Sequence, residues 1–310
     1  MSEPLVWLPF DPSELWPDGP PPGLRIEVVD PTKHVPDSVS QVRFYVTPYA
    51  AGAAVGDVLD EMTELEVVQT MTAGVDNLRG RIPEGVKLCN GRGIHDTSTA
   101  ELAATLVLAS LRDIPGFVRD QGNHRWNQGY RQSLADKRVL IVGYGAIGAA
   151  IEARLLPFEC DVVRVARTAR ETEAGPVHAF DELPALLPDA DVVMLVVPLT
   201  EQTRGMVDAG FLAAMKDGAL LVNVARGGVV VTDDLLAELR SERLHAALDV
   251  VDPEPLPADH PLWDAPNLLL TPHVGGPSSA FWPRATRFIR EQLERYAAGE
   301  PLANVMTGEY

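Results

Sequence analysis

Cysteine is nearly absent from this chain. Cys89 and Cys160 are the only two in 310 residues, too few for a disulfide framework or a cysteine-rich zinc site, which fits a reducing, cytoplasmic setting. Long apolar runs are missing too: the longest largely apolar stretch, Leu102 to Leu111, falls far short of the roughly 20 residues that cross a bilayer. The opening MSEPLVWLPF lacks a basic stretch followed by an apolar one, so no secretory signal is expected. Positive charge is scarce, with 26 Lys and Arg against 44 Asp and Glu and a formal balance of −18. That argues against general binding of nucleic acid or of anionic membrane, so any anionic ligand must be caught by a local cluster of donors. No internal repeat, coiled-coil heptad or low-complexity tract is visible.

What is present is ordinary globular composition, 46% hydrophobic and 23% charged, in a length that suits two compact domains. From about 139 to 271, short apolar runs alternate with helical segments, the signature of a parallel sheet built from strand-helix units. Strands are expected at Val139 to Gly143, Val162 to Ala166, Val192 to Val197, Ala219 to Asn223, His245 to Asp249 and Leu268 to Thr271, enough for a full doubly wound sheet. Helices are expected at Ala146 to Leu155, stopped by Pro157, and at Asp181 to Leu187, Asp208 to Lys216 and Thr232 to Ser241, the last with Thr232 as N-cap. The first 92 residues repeat the pattern more weakly, at Leu5 to Leu8, Arg25 to Val28, Arg43 to Val46 and Glu66 to Thr70, joined by Pro-rich loops such as Pro20 to Pro22. Thr97 to Arg112 reads as a helix apolar on nearly every face, hence buried between packed units and taken as hinge and subunit contact. A charged helical period from Arg284 to Ala298 is expected to return to the first domain. The division that follows is residues 1–94 with 283–310 as a substrate domain and 95–282 as a dinucleotide-binding domain.

Val139-Leu-Ile-Val-Gly143-Tyr-Gly145-Ala-Ile-Gly148 sets a G-x-G-x-x-G pattern directly after a strand and at a helix start. Gly143 permits the tight turn, Gly145 lets a pyrophosphate approach the backbone, and Gly148 lets helix and strand pack closely. The amides of Ala146 and Ile147 then point at the phosphates from the positive helix end. Alone, the pattern also describes a plain glycine-rich turn; the flanking strand, helix and five further strands weigh for a dinucleotide. An NAD-selective site carries an acid at the end of the second strand, and here that acid is missing from Val163-Arg164-Val165-Ala166-Arg167-Thr168-Ala169-Arg170. Ala166 leaves room, Thr168 offers a hydroxyl, and Arg167 and Arg170 can pair with a 2′-phosphate. NADP(H) is therefore expected in preference to NAD(H), which stays usable; the other reading leaves these arginines as decoration on a surface loop.

Three later strand ends carry chemistry: Asn223-Val-Ala-Arg226-Gly227-Gly228, Leu248-Asp249-Val-Val-Asp252-Pro-Glu254-Pro, and Thr271-Pro-His273-Val-Gly275-Gly276. Carboxyl ends of an open parallel sheet share one edge, so Arg226, Glu254 and His273 can converge there. A hydride delivered to a ketone carbon drives negative charge onto the oxygen, and a protonated imidazole placed at that oxygen acts as general acid. His273 suits this role, and Glu254 beside it would favour the charged ring and fix its orientation. Arg226 would grip a substrate carboxylate, each charge-assisted bond contributing roughly 1.5–3 kcal/mol. Singly, the three read as a strand-end histidine, a solvated acid and a surface charge; together, behind a dinucleotide loop, they read as an oxidoreductase for 2-oxoacids and 2-hydroxyacids. No Tyr is followed four residues later by Lys, so the short-chain dehydrogenase pair is absent, and no metal is expected. The rival is a cofactor-sensing binding protein, like the transcriptional corepressors that reuse this fold.

With GYGAIG at 143 to 148, NVARGG at 223 to 228, LDVVDPEPLP at 248 to 257 and TPHVGG at 271 to 276, the chain resembles the D-isomer-specific 2-hydroxyacid dehydrogenase family over nearly its full length. The resemblance implies an α/β protein of two doubly wound parallel-sheet domains, a Rossmann cofactor domain and a flavodoxin-like substrate domain, assembled as a homodimer. It implies that Asp249 touches the nicotinamide carboxamide, that Val197, Pro198, Thr203 and Ala225 line the cofactor, and that Gly74 and Val75 offer backbone amides to the substrate carboxylate. The stretch from Gly91 to Glu101 resembles the family's entry into its hinge helix. Arg167, Arg170 and the closing Asn304-Val-Met-Thr-Gly-Glu-Tyr310 stand closer to glyoxylate and hydroxypyruvate reductases than to phosphoglycerate dehydrogenases, and no serine-type feedback is expected. Gly276 departs from the family, which commonly has a small polar residue there. Thr47, Pro48, Tyr49, Ala73 and Gly74 are expected to set substrate size; Phe281-Trp282 reads as closing over the pocket or over a partner subunit. His95, His124 and His245 are expected to be structural or exposed.

Overall fold

The computed structural model of the chain describes residues 3–307 except Ala50, Asn77, Arg79 and the side chain of Ala53. Met1 and Ser2, and Gly308 to Tyr310 of the closing motif, lie outside the described residues. Two units emerge, residues 1–95 with 279–310, and residues 96–278.

The first unit is built on β1 (Leu5–Leu8), β2 (Arg25–Val28), β3 (Val42–Val46), β4 (Val67–Gln69) and β5 (Lys87–Cys89). They pair in parallel in the order β2-β1-β3-β4-β5, the order of a flavodoxin-like sheet. Successive side chains leave a strand on opposite faces. Val6, Leu8, Phe44 and Val46 accordingly enter one apolar cluster, and Leu5, Trp7 and Tyr45 another on the other face. Burial on both faces is why these strands read as short apolar runs. β5 has no counterpart among the expected strands: Lys-Leu-Cys is too short to show a period.

The second unit opens with α1 (Asp96–Leu111) and α2 (Ile114–Gly122). Its sheet holds β6 (Arg138–Val142), β7 (Asp161–Ala166), β8 (Arg170–Thr172), β9 (Gly175–Ala179), β10 (Val192–Leu195), β11 (Leu220–Asn223), β12 (His245–Leu248) and β13 (Leu268–Leu270). The order is β13-β12-β11-β10-β6-β7-β9-β8, parallel throughout except where β8 runs antiparallel to β9. All six expected strands are present, and the β8–β9 hairpin is added at one edge. Between strands lie α3 (Ala146–Leu155), α4 (Leu183–Leu186), α5 (Ala209–Ala214) and α6 (Thr232–Arg240). Val139, Ile141, Val192 and Met194 face one apolar cluster, shared with Ala100, Ala103, Leu106 and Val107 of α1, while Leu140, Val142, Val193 and Leu195 face the other. Strand order reverses between β6 and β10, and ligands of open α/β sheets bind outside the strands' carboxyl ends at such a point.

Two local expectations are corrected. The helix expected over 181–187 is broken into a 3-10 turn, the single turn α4 and a second 3-10 turn, because Pro184 and Pro188 cannot donate along a continuous helix. Thr232 is not the N-cap of α6; Val231 occupies that position, and the Thr232 hydroxyl donates instead to the Asp252 carbonyl at 3.0 Å.

The chain ends by returning to the first unit as α7 (Phe281–Ala298). Phe281, Ala285, Ile289 and Leu293, spaced one helical turn apart, add to a core of that unit, and buried Gln292 donates to Gln69 at 2.7 Å. Gly299 at φ 68° stops the helix in the left-handed conformation that glycine tolerates best. Among the described residues no helix is long and apolar enough to cross a membrane.

Candidate active site

The glycine loop follows β6 at the switch point. Gly143 has φ 108°, and a Cβ there would lie 2.6 Å from the Val196 backbone, so both conformation and space demand glycine. A Cβ on Gly148 would lie 2.9 Å from the Gly143 carbonyl oxygen, which marks the close approach of α3 to the loop. Gly145 is the N-cap of α3, with no side-chain cap, and open space surrounds its Cβ position. Backbone amides of Ala146 and Ile147 thus open the helix beside unfilled space, a setting that suits a pyrophosphate. Beneath the loop, Tyr144 and Arg164 both donate to the buried Glu152 carboxylate, and the guanidinium of Arg164 lies 5.7 Å from the Tyr144 ring centroid.

At the end of β7, Arg167 and Thr168 are exposed, and Arg170 opens β8. Arg170 Nη2 donates to the Tyr144 carbonyl at 2.5 Å, bringing this guanidinium to the glycine loop itself. Arg164 is spent on Glu152. The loop after β10 carries Val197 and Pro198, with the buried Thr203 hydroxyl donating to the Pro198 carbonyl at 2.6 Å and accepting from the Thr200 amide at 2.9 Å. Thr203 therefore shapes this loop through its side chain.

Arg226, Glu254 and His273 follow β11, β12 and β13, and the loops that carry them interlock. The Gly227 Cβ position lies 1.8 Å from the Val251 carbonyl oxygen, so only glycine lets the loop of Arg226 lie against the loop of Glu254. Asn223 Nδ2 donates to the Arg226 carbonyl and its Oδ1 accepts from the Ala225 amide, both at 3.0 Å, an Asx turn that fixes the backbone of Arg226. Arg226 Nη1 donates to the Ala225 carbonyl at 2.7 Å. Buried Asp249 holds the third loop: its carboxylate accepts from the Thr271 hydroxyl at 2.6 Å and from the amides of Val274 and Gly275 at 2.9 Å, and its carbonyl accepts from the His273 amide at 2.8 Å. His273 stands at φ 54°, and its Nδ1 is hydrogen-bonded to the Glu254 carboxylate. With Nδ1 so engaged, Nε2 is the nitrogen that can carry a transferable proton. Sequence reasoning had missed Asn223 as a functional residue; its place at a strand end, two and three residues before Ala225 and Arg226, was the available signal.

In the first unit, the turn of Ala73, Gly74 and Val75 follows β4. The Ala73 carbonyl accepts from Asn90 Nδ2 at 2.9 Å and the Gly74 carbonyl from the Thr72 hydroxyl at 2.8 Å. Both carbonyls are thereby committed within the fold. His95 is buried and stacked on Phe281, while His245 is half-buried and burial depresses its pKa. Burial pushes the Cys89 thiol up to about 11 and raises that of Cys160 as well, so neither offers a thiolate nucleophile. Among the described residues no cluster of three or more His, Cys, Asp or Glu could hold a metal ion. A cavity of about 730 Å³ in the second unit touches Leu220, His245 and Leu268, the first residues of β11, β12 and β13, and so lies at the edge opposite Arg226, Glu254 and His273.

Comparison with known proteins adds four findings. Residues 104–275 match the family model described as D-isomer specific 2-hydroxyacid dehydrogenase, NAD binding domain. A glyoxylate reductase/hydroxypyruvate reductase of Homo sapiens is 34% identical over 253 residues, 78% of this chain and 74% of that protein. Among solved structures, a D-isomer specific 2-hydroxyacid dehydrogenase from Xanthobacter autotrophicus Py2 in complex with NADPH and MES superimposes with TM-score 0.82 at 32% identity, covering 99% of this chain and 98% of that one. An NADPH-dependent glyoxylate/hydroxypyruvate reductase from Sinorhizobium meliloti, in complex with NADP and sulfate, gives 0.84 at 27% identity, covering 98% of each chain.

Proposed function

Because the chain belongs to the D-isomer-specific 2-hydroxyacid dehydrogenase family, we propose that this oxidoreductase reduces a small 2-oxoacid of the glyoxylate and hydroxypyruvate kind to the D-2-hydroxyacid, with NADPH preferred to NADH. The observation that carries the reading is the His273–Glu254 pair held on loops interlocked with that of Arg226. The open space at Gly145 and the uncapped start of α3 fit a dinucleotide. When bound, that dinucleotide supplies a hydride to the substrate's carbonyl carbon. His273 gives the Nε2 proton to the carbonyl oxygen, so the ketone becomes a hydroxyl and charge is balanced. Glu254 holds Nδ1 and keeps the ring oriented. In the second unit Arg226 pairs with a substrate carboxylate; in the first, Gly74 and Val75 are the candidate carboxylate-binding amides. Asp249, besides anchoring the loop of His273, contacts the nicotinamide carboxamide, and Val197, Pro198, Thr203 and Ala225 line the cofactor.

Arg167, Thr168 and Arg170 read the 2′-phosphate, a role supported by the missing acid at the end of β7 and by the NADPH and NADP bound to the two solved relatives. Residues 1–94 with 283–310 act as the substrate domain and 95–282 as the cofactor domain, supported by the family match within the second unit. A homodimer is supported by exposed apolar groups around α2, with Val118 61%, Trp126 93% and Tyr130 104% exposed. The two cysteines favour the cytoplasm.

Purified chain assayed with glyoxylate and hydroxypyruvate should oxidise NADPH with kcat/KM at least tenfold above that for NADH. The double variant Arg167→Ala, Arg170→Ala should lose that preference. Equal or better use of NADH would remove the cofactor assignment, and failure to reduce any 2-oxoacid would remove the reaction.

A further inference from the structure

One residue of the glycine loop is gripped twice, by its side chain and by its carbonyl. Tyr144 stands between Gly143 and Gly145, and its side chain is buried beneath the loop. There its hydroxyl donates to the Glu152 carboxylate of α3, and Arg164 of β7 donates to the same carboxylate through Nε at 2.9 Å and through Nη2. The Tyr144 carbonyl in turn accepts from Arg170 Nη2 of β8 at 2.5 Å. Arg164, Glu152, Tyr144 and Arg170 thus form one unbroken chain of hydrogen bonds from β7 through α3 and the loop to β8.

Only the first arginine of that chain is neutralised. Glu152 takes up the charge of Arg164, whereas Arg170 rests on a neutral carbonyl and meets no acid among the described residues. Its Nε and Nη1 are bonded to nothing among those residues, which leaves two arms of the fork for an anion. The amides of Gly143 and Tyr144 both donate to the Val165 carbonyl, at 2.8 and 2.9 Å, so the loop rests on the end of β7. A dinucleotide in this fold places its adenosine ribose at that strand end. Arg170 reaches it from the edge strand of the sheet. An arginine side chain is rich in rotamers, and ordering it on binding weakens affinity; the bond to Tyr144 orders Arg170 in advance.

Stability alone does not account for the buried pair. Well-packed apolar residues of similar volume often hold a core as well as a buried ion pair does, and what the pair adds is a fixed orientation. Here it orients the Tyr144 hydroxyl, and with it the residue whose carbonyl holds Arg170. We propose that Tyr144 and Glu152 are positioning residues for the 2′-phosphate of NADPH: their side chains, buried beneath the loop, act on that phosphate only through Arg170. The inference rests on the NADPH reading above.

The test is a binding measurement that needs no turnover. Adenosine 2′,5′-bisphosphate and 5′-AMP differ only in the 2′-phosphate, and calorimetric titration of the whole protein gives a Kd for each. The unaltered protein should bind the bisphosphate at least tenfold more tightly. Tyr144→Phe keeps the ring and removes only the hydroxyl; it should cut that ratio about fivefold, with the Kd for 5′-AMP changing less than twofold. Arg170→Ala should remove most of the ratio, and adding Tyr144→Phe to it should change the remainder less than twofold, because the hydroxyl acts only through the guanidinium. An undiminished ratio in Tyr144→Phe, an equal loss for both ligands, a ratio retained in Arg170→Ala, or a further loss in the double variant would each overturn the inference while leaving the NADPH preference in place. An unaltered protein that binds the two ligands alike overturns the NADPH reading, and the inference with it.

Discussion

At φ 54° His273 occupies the left-handed region, which costs a non-glycine residue roughly 1–3 kcal/mol. Asp249 holds it there through the carbonyl that accepts the His273 amide and the carboxylate that accepts Thr271, Val274 and Gly275. The Thr99 hydroxyl, donating to the Gly275 carbonyl at 3.2 Å, adds to that anchor. His273→Ala should lower kcat by about 10²–10⁴, the usual worth of a positioned acid, while the NADPH Kd changes little; stopped-flow turnover and fluorescence titration check the two halves, and an unchanged kcat would place the proton source elsewhere. The three catalytic candidates were legible in the sequence because residue type and strand-end position together carry the chemistry. Asp249 was legible only as a cofactor contact, since its loop partners lie 22 to 26 residues downstream and no local pattern connects them.

Among the elements, α3 and β7 are joined by a buried charge pair whose members stand 3% and 11% exposed, Glu152 and Arg164. Removing one partner of such a pair leaves the other charge uncompensated, at about 3–5 kcal/mol. Arg164→Met should show a loss of that size by urea unfolding; a change below about 1 kcal/mol would mean that Glu152 finds another partner or takes up a proton. The pair also shows where sequence reading stops. Arg164 sits among the same residues as Arg167 and Arg170, yet it is neutralised from below while Arg170 reaches the glycine loop. Strands and helices with clear periods were readable, β6 and α3 almost to the residue. β5 and the β8–β9 hairpin were not, because Lys-Leu-Cys, Arg-Glu-Thr and Gly-Pro-Val-His-Ala carry too few apolar residues, and a proline, to look like strands. The Thr232 cap failed for a related reason: the competing carbonyl belongs to a loop 20 residues away.

For the whole molecule, four apolar clusters divide two to each unit, so each unit unfolds around its own core. Calorimetry should resolve two transitions, and NADPH at about 100 times its Kd should stabilise the one belonging to residues 96–278 by about 2.7 kcal/mol. A uniform shift of both, or of the other alone, would contradict the assignment of the cofactor to that unit. The half-buried His245 behaves in the same unit as a pH-sensitive group. Its folded pKa lies below the ordinary 6.5 through burial, so the stability it contributes is present above about 6.5 and declines as acid protonates the unfolded chain. The return of α7 to the first unit carries a consequence for synthesis. Residues 96–278 form one uninterrupted stretch and can complete their fold before residue 281 is synthesised, whereas the sheet of the first unit, begun before them, waits with one face incompletely covered until Phe281, Ala285, Ile289 and Leu293 follow. Of the two units, the one begun earlier is thus the one completed later, and during that interval its apolar surface is the one a chaperone would have to shield.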